Sequence, residues 1–270
     1  MTEVSDAFLA MHRKGSPFVM PNPWDLGSSR VLEAMGFSAL ATTSAGFAFS
    51  IGRRDAEGGV TRDEAVSHAA VIVGGTDLPV NADTENGFGL APEDCAETVR
   101  QCVEAGLAGC SIEDTTGDFS DPIIGFEQSV ERVRAAAEAG RQAGGIVLTA
   151  RAENFLYGRH DMADTLRRLN AFAEAGADVL YAPGLRDAES VKTLISAVDR
   201  PVNVLASPGL TVQQIADAGG ARISLGSAFA VNAFRGLIAA AEEVQNEGSF
   251  TFAVAKPGFM EINRMMKGRG

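Results

Sequence analysis

The stretch EAGLAGCSIED, Glu104 to Asp114, holds one structural joint in full. A helical pattern ends at Gly106, a short apolar strand follows, and two carboxylates, Glu113 and Asp114, close it. The same joint recurs in EAMGFSAL, EAGADVL and DAGGARIS, each with Gly between a helix end and a strand. Glycine accepts the left-handed cap that stops a helix without a Cβ penalty, so these joints are architecture.

Working outward, the strands read FVMPN (18–22), SALATT (38–43), PVNAD (79–83), LAGCSIED (107–114), GIVLTAR (145–151), DVLYAP (178–183), PVNVLAS (201–207) and ARISLG (221–226). Helical patterns separate them, near Asp25 to Met35, Thr61 to Val73, Pro92 to Ala105, Gln128 to Ala143, Met162 to Ala175, Ala188 to Val198 and Thr211 to Ala218. A last one runs from Ala228 to Val244. Thr211 reads as an N-cap and Pro92 as a first-turn proline. Strands apolar nearly throughout fit a parallel sheet covered by helices. Eight strand–helix units predict an α/β chain folded as a (β/α)8 TIM barrel. The alternative is a doubly wound open sheet. It would carry a glycine-rich fingerprint after its first strand, and PNPWDLG is not GxGxxG.

The chain has 270 residues, 46% of them hydrophobic, which is enough for one large core. The division expected is residues 1–248 for the barrel and 249–270, SFTFAVAKPGFMEINRMMKGRG, for a C-terminal helical extension or tail. A net charge of -12 speaks against nucleic acid as a partner. No apolar run reaches membrane-span length, and MTEVSDAFLAMHRKG lacks a signal-type core. Cys95, Cys102 and Cys110 include no CxxC pair. A soluble cytoplasmic protein is expected, with three cysteines buried on a helix face or strand.

In a TIM barrel the chemistry lies at the C-terminal strand ends. There the sequence offers Asn22 and Asp25, then Thr42 to Gly46, then Asn81, Asp83 and Glu85. Next come Glu113 and Asp114, Arg151 with Glu153 and Asn154, Tyr181, Asn203 with Ser207, and Gly226 with Ser227. Period two puts Asn81, Asp83 and, if the extended backbone continues, Glu85 on one side. Acids converging from adjacent strands repel unless protonated or joined by a cation. An oxygen-only set suits Mg²⁺ or Mn²⁺. Zinc is disfavoured, because His12, His68 and His160 are scattered. Those acids could instead cap loops or pair with arginines. Arg151 can fork onto a substrate carboxylate or onto Glu113 or Glu153. The backbone of Ser44, Ala45 and Gly46 can form a nest for another carboxylate. No lysine lies at a strand end, so a Schiff-base mechanism is disfavoured. Phe47, Phe49, Phe88 and Phe119 are either pocket walls or core.

The motifs TTSAG, GRRDAEGG, NADTENGFG, SIEDT and TARAEN, in this order, resemble the isocitrate lyase and phosphoenolpyruvate mutase superfamily, in its small single-barrel members. The resemblance runs from PNPWD to GSAFA. It implies a lyase using Mg²⁺ (or Mn²⁺) on a small 2-oxo or 2-hydroxy di- or tricarboxylic acid, through a pyruvate-type enolate. It implies metal-shell residues at Asp55, Asp83 and Glu113, with Asn81 and Glu85 beside them. Ser44, Ala45 and Gly46 would hold a carboxylate, and Arg151 matches the family arginine. A homodimer or homotetramer is expected, with the last barrel helix exchanged between subunits. We add Asn203 to the substrate-binding set and Tyr181 to Arg151 and Glu113 in the catalytic set.

Two departures matter. Asn81 stands where the family motif has its first acid. The loop TTGDFSDPIIGFEQ lacks the Lys-x-Cys-Gly-His motif of the lyases and the lysine and asparagine of the phosphonomutases. Decarboxylation of an oxaloacetate-like acid needs no strong base and fits this minimal set best; alkylmalate cleavage would need one. The alternatives are a non-catalytic barrel that binds 2-oxo acids and a C–P phosphonomutase.

Overall fold

Gly36, Gly106, Gly176 and Gly219, the glycines of the four recurring joints, all adopt the left-handed backbone, with φ of 88°, 79°, 113° and 95°. The joints therefore end helices as expected. The computed structural model describes residues 2–55, 58–254 and 256–268. Ala56 and Glu57 of the GRRDAEGG loop, and residues 255, 269 and 270 of the C-terminal segment, lie outside the described residues.

Eight strands form one parallel sheet: β1 (Phe18–Met20), β2 (Leu40–Ala41), β3 (Val80–Asp83), β4 (Gly109–Glu113), β5 (Val147–Arg151), β6 (Val179–Tyr181), β7 (Val202–Leu205) and β8 (Arg222–Ser224). Their order, β1-β8-β7-β6-β5-β4-β3-β2, is that of a nearly closed TIM barrel. Among the described residues eleven α-helices accompany them: α1 (Glu3–Ala10), α2 (Leu26–Ala34), α3 (Ser44–Ser50), α4 (Arg62–Val73), α5 (Pro92–Glu104), α6 (Phe126–Gln142), α7 (Met162–Ala175), α8 (Ala188–Ser196), α9 (Val212–Asp217), α10 (Ala228–Glu247) and α11 (Phe259–Met265). Two of these, α1 and α3, were not expected from the sequence. Each is short, and each starts on a threonine cap, Thr2 and Thr43. Thr211 and Pro92 stand where expected.

The seam between β1 and β2 has no regular ladder. Pro21 has no N–H to offer there. Its carbonyl accepts from Ala41 N–H at 3.0 Å instead. The Asn22 side chain completes the closure: Nδ2 donates to the Thr42 carbonyl at 2.9 Å and Oδ1 accepts from Leu225 N–H at 3.0 Å.

Alternation along each strand sorts the core in two. Leu148, Ala150, Leu180, Val202, Val204 and Ile223 face outward onto the helices. Phe8, Met20, Ala41, Val147 and Val179 form a second cluster, in which α1 plugs the barrel floor. Cys95, Cys102 and Cys110 are buried and free. No helix is long and apolar enough to cross a membrane among the described residues.

The C-terminal helices α10 and α11 break the pattern, and α11 buries no residue. Only Ala230 is buried along the twenty residues of α10. Leu237, Ile238 and Val244 on it, and Phe250, Phe252 and Phe259 beyond it, are exposed.

Candidate active site

Register builds the site. Glu113 pairs with Arg151, Arg151 with Tyr181, Tyr181 with Asn203, and Asn203 with Arg222, in one row across β4 to β8. In-register residues of parallel strands face the same way, so all five point to the barrel interior. A cavity of about 1050 Å³ opens above them at the C-terminal strand ends. Asp55, Asn81, Asp83, Glu85, Glu113 and Arg151 line it. So do Ser44, Ala45, Tyr181 and Asn203.

Arg151 gathers the acids. Its Nη1 lies 2.8 Å from Glu113 and 3.3 Å from Asp83, and its Nε donates to Glu153 at 2.6 Å. Its guanidinium stands 4.9 Å over the Tyr181 ring. Burial opposes the arginine's charge, but Glu113, Glu153 and Asp83 outweigh it and hold the group protonated. The acids are still in excess. Burial, then the charges of Asp83, Glu113 and Asp55, push Glu85 up to about 8. Burial likewise pushes Glu113 up to about 8 against the pull of Arg151. Glu153 rises to about 6 for the same reason. Behind them, Asp114 accepts from Glu153 N–H at 2.8 Å and pairs with Arg168 at 3.1 Å, a buttress rather than a cavity wall.

The expected residues take up these places with three differences. β3 ends at Asp83, and Glu85 has a left-handed φ of 47°, so it reaches the cavity from a turn and not by strand alternation. The Ser44 amide donates to Asp83 Oδ2 at 3.1 Å and the Gly46 amide to Thr43 Oγ1 at 3.3 Å, so two of the three nest amides already have partners. Gly46 lies off the cavity, where a Cβ would stand 2.6 Å from Thr43 Cγ2 and 2.9 Å from Trp24 Cβ. Of the four phenylalanines, Phe88 lines the cavity. Phe47 instead stacks on His68 at 3.9 Å, Phe49 meets Phe234 of α10, and Phe119 is exposed.

Several lining groups escaped the sequence reading. Arg222 and Ser224 of β8 line the floor, and Tyr157 lines the wall, so both tyrosines of the chain face the cavity. Among the described residues no His, Cys or Lys lines it. The signal for Arg222 was present: an arginine inside the otherwise apolar ARISLG.

The loop after β4 folds back on itself through a Thr115–Ile123 bridge. It is tied to the segment after β5 by Arg159 to Asp121 at 2.9 Å and by Phe119 against Tyr157, ring centroids 6.2 Å apart.

Among the described residues no three His, Cys, Asp or Glu groups are arranged as a metal cluster; the acids converge on Arg151 instead. Their chemistry nevertheless suits a hard cation. The buried Asn81 Oδ1 has no hydrogen-bond partner, and crowded carboxylates with raised pKa values leave surplus acceptor capacity beside it.

Comparison with known proteins agrees with this geometry. The family model for phosphoenolpyruvate phosphomutase matches residues 8–245. A crystal structure from Burkholderia cenocepacia J2315, described provisionally as a lyase/mutase, superposes with a TM-score of 0.93 at 45% identity, covering 98% of this chain and 96% of that one. An uncharacterised Mycobacterium tuberculosis protein is 32% identical over 82% of each chain. The 2-methylisocitrate lyase of Escherichia coli K12 is 28% identical over 89% of this chain and 82% of its own.

Proposed function

The chain belongs to the isocitrate lyase and phosphoenolpyruvate mutase superfamily and is an enzyme of its lyase type, and from that premise we propose that it decarboxylates or cleaves a small 2-oxo or 2-hydroxy diacid of oxaloacetate or alkylmalate type. The observation that carries this reading is the row Glu113–Arg151–Tyr181–Asn203 under one cavity with Asp83 and Glu85 at its rim.

Asp83, Glu85 and Glu113, with Asn81 and Asp55 beside them, are the residues that would hold Mg²⁺ or Mn²⁺. When bound, such an ion supplies a positive centre that draws electron density from the oxygens of a 2-oxo acid. The protein's own part is separate. Arg151 carries fixed N–H donors into the cavity, where negative charge develops as a C–C bond breaks. Glu113 and Glu153 hold that guanidinium in its plane, so it needs no reorganisation at the moment of reaction. Ser44 and Ala45 line the wall against a carboxylate, and Gly46 permits the close turn behind them. Asn203 lines the floor. Among the described residues no lysine lines the cavity, which supports an enolate route over a Schiff base.

The test is proton NMR of the purified protein with oxaloacetate, alkyl-substituted oxaloacetates, 2-alkylmalates and methylisocitrate. Each is run with Mg²⁺, with excess EDTA, and without protein. Protein-dependent formation of pyruvate or a homologue, lost with EDTA and in Asp83→Ala, supports the reading. Carbon dioxide as co-product marks a decarboxylase and a second organic acid a lyase. Failure to convert any panel member would refute the reading for these substrates.

We also infer that a second copy of the chain covers α10 and the segment from residue 249 onward. The exposure of Leu237, Ile238, Phe250, Phe252 and Phe259 along this part of the chain supports this, since so many exposed large apolar side chains are unusual on a monomer. Light scattering of Leu237→Glu/Ile238→Glu should give a smaller species than the native chain.

A further inference from the structure

A wire of hydrogen bonds runs under the cavity, and its polarity can be read from donor chemistry alone. It begins in α1 territory, where His12 Nδ1 meets the Phe8 carbonyl at 2.9 Å. A carbonyl only accepts, so Nδ1 carries the proton and Nε2 is left as an acceptor. Arg222 Nη1 donates to that Nε2 at 3.2 Å. Arg222 cannot accept, so its Nε, 3.0 Å from Asn203 Oδ1, fixes which end of the amide is oxygen. Asn203 Nδ2 must then donate to Ser224 Oγ at 2.8 Å. The Ser224 proton, buried, has the Tyr181 oxygen at 3.4 Å as its acceptor; this last link is the longest of the wire. A phenol oxygen that accepts from serine on one side presents its own O–H on the other, and Tyr181 lines the cavity.

We propose that Arg222, Asn203 and Ser224 are positioning residues that turn the Tyr181 hydroxyl into the cavity, where it delivers its proton to the carbon of the enolate. The proposal rests on the reading that an enolate forms there. The C–C bond breaks and its electron pair enters the enolate. The Tyr181 O–H bond then breaks as a C–H bond forms at that carbon, and the phenolate regains a proton from water. Two features of this site support the phenolate meanwhile. The Arg151 guanidinium stands over the ring, and the Ser224 hydroxyl donates to the oxygen. Arg222 adds a third: it is 2% exposed, and its side-chain partners are Asn203, His12 and Thr149, with no carboxylate among them. No His, Cys or Lys stands on the described lining, and the loop after β4 has no thiol. Glu85 and Glu113, pushed up to about 8, are the residues that would hold the cation, which leaves the two phenols as proton carriers, and of these Tyr181 is the one at the end of the wire.

The test uses the full chain, the substrate panel above and the variants Tyr181→Phe, Asn203→Asp and Ser224→Ala. Asn203→Asp is nearly isosteric but reverses the wire. A carboxylate cannot donate, so it takes the Ser224 proton, and Ser224 then accepts from Tyr181 and turns its O–H away from the cavity. Tyr181→Phe should lower kcat by roughly 10²-fold or more with KM within threefold. Asn203→Asp should lower kcat nearly as far, with any added rise in KM reflecting its place on the cavity floor, and the double variant should lose no more kcat than either alone. Ser224→Ala should lose less than tenfold, since it removes a donor without recruiting the phenol proton. Asn203→Asp should melt no lower than the native protein, because it gives Arg222 an anionic partner. The proposal is overturned if Asn203→Asp keeps its kcat, if its loss is all in KM, if the two losses multiply, or if it melts earlier. No turnover by the native protein would remove the enolate reading and this proposal with it. Turnover that survives wire reversal removes the proposal alone.

Discussion

Replacing His12 with Gln tests the floor of the barrel independently of any substrate. Gln can offer Oε1 to Arg222 where the imidazole offers Nε2, but it cannot titrate. Burial, then the Arg222 charge, lowers His12 from 6.5 to about 3 in the folded chain. A proton added to Nε2 would face a guanidinium 3.2 Å away. Between these two values the unfolded chain binds one proton more than the folded one, so stability rises with pH in that window. The contribution is complete above the unfolded value of 6.5 and is lost as pH falls toward about 3. The slope reaches about 1.4 kcal/mol per pH unit, so passing from pH 7 to pH 5 costs about 2 kcal/mol through this residue. Urea unfolding at 25 °C, followed by the fluorescence of the single tryptophan, Trp24, would read it. The native protein should lose about 2 kcal/mol more than His12→Gln over that interval. Asp114 and Glu153 titrate nearby but are common to both proteins and cancel in the difference. Parallel stability–pH curves would refute the neutral, arginine-facing histidine.

Arg151→Lys keeps the charge but loses the planar fork that spans Glu113 and Glu153; kcat/KM on any panel substrate should fall by roughly 10² while the protein still melts cooperatively. Gly46→Ala forces a methyl against Thr43 and Trp24 and should cost about 1–3 kcal/mol in urea unfolding. Phe172→Ala empties a fully buried site of the outer core and should cost about 3–5 kcal/mol by the same measurement, with KM unchanged.

The barrel was legible because its signals are local and repeated. Four helix stops are glycines in the left-handed backbone, and the strands are apolar over most of their length. Two acids and the arginine between them were legible for a related reason, since Asp83, Glu113 and Arg151 end their strands. What escaped depends on register between distant strands. Arg222 begins its strand yet lines the cavity floor, because the stagger of the barrel sets it level with Asn203 and Tyr181. No reading of ARISLG by itself contains that stagger. Glu85 shows the opposite case: its place at the rim was expected, but by alternation, whereas a left-handed turn delivers it. The Ser44 amide could not be assigned either, since its partner Asp83 is thirty-nine residues away.

The seam between β1 and β2 has a mechanical meaning. Seven neighbouring strand pairs are held by ladders, which share any outward load along their length. The eighth junction is a clasp, made of the Ala41–Pro21 main-chain bond and the Asn22 Nδ2 bond to the Thr42 carbonyl, while Asn22 Oδ1 reaches the other way to Leu225 N–H after β8. That clasp sits on the same rim as the cavity, which Asn22 itself lines. The ring of strands therefore has one junction with fewer bonds than the rest, and a single amide side chain there links β1 to the ends of both β2 and β8.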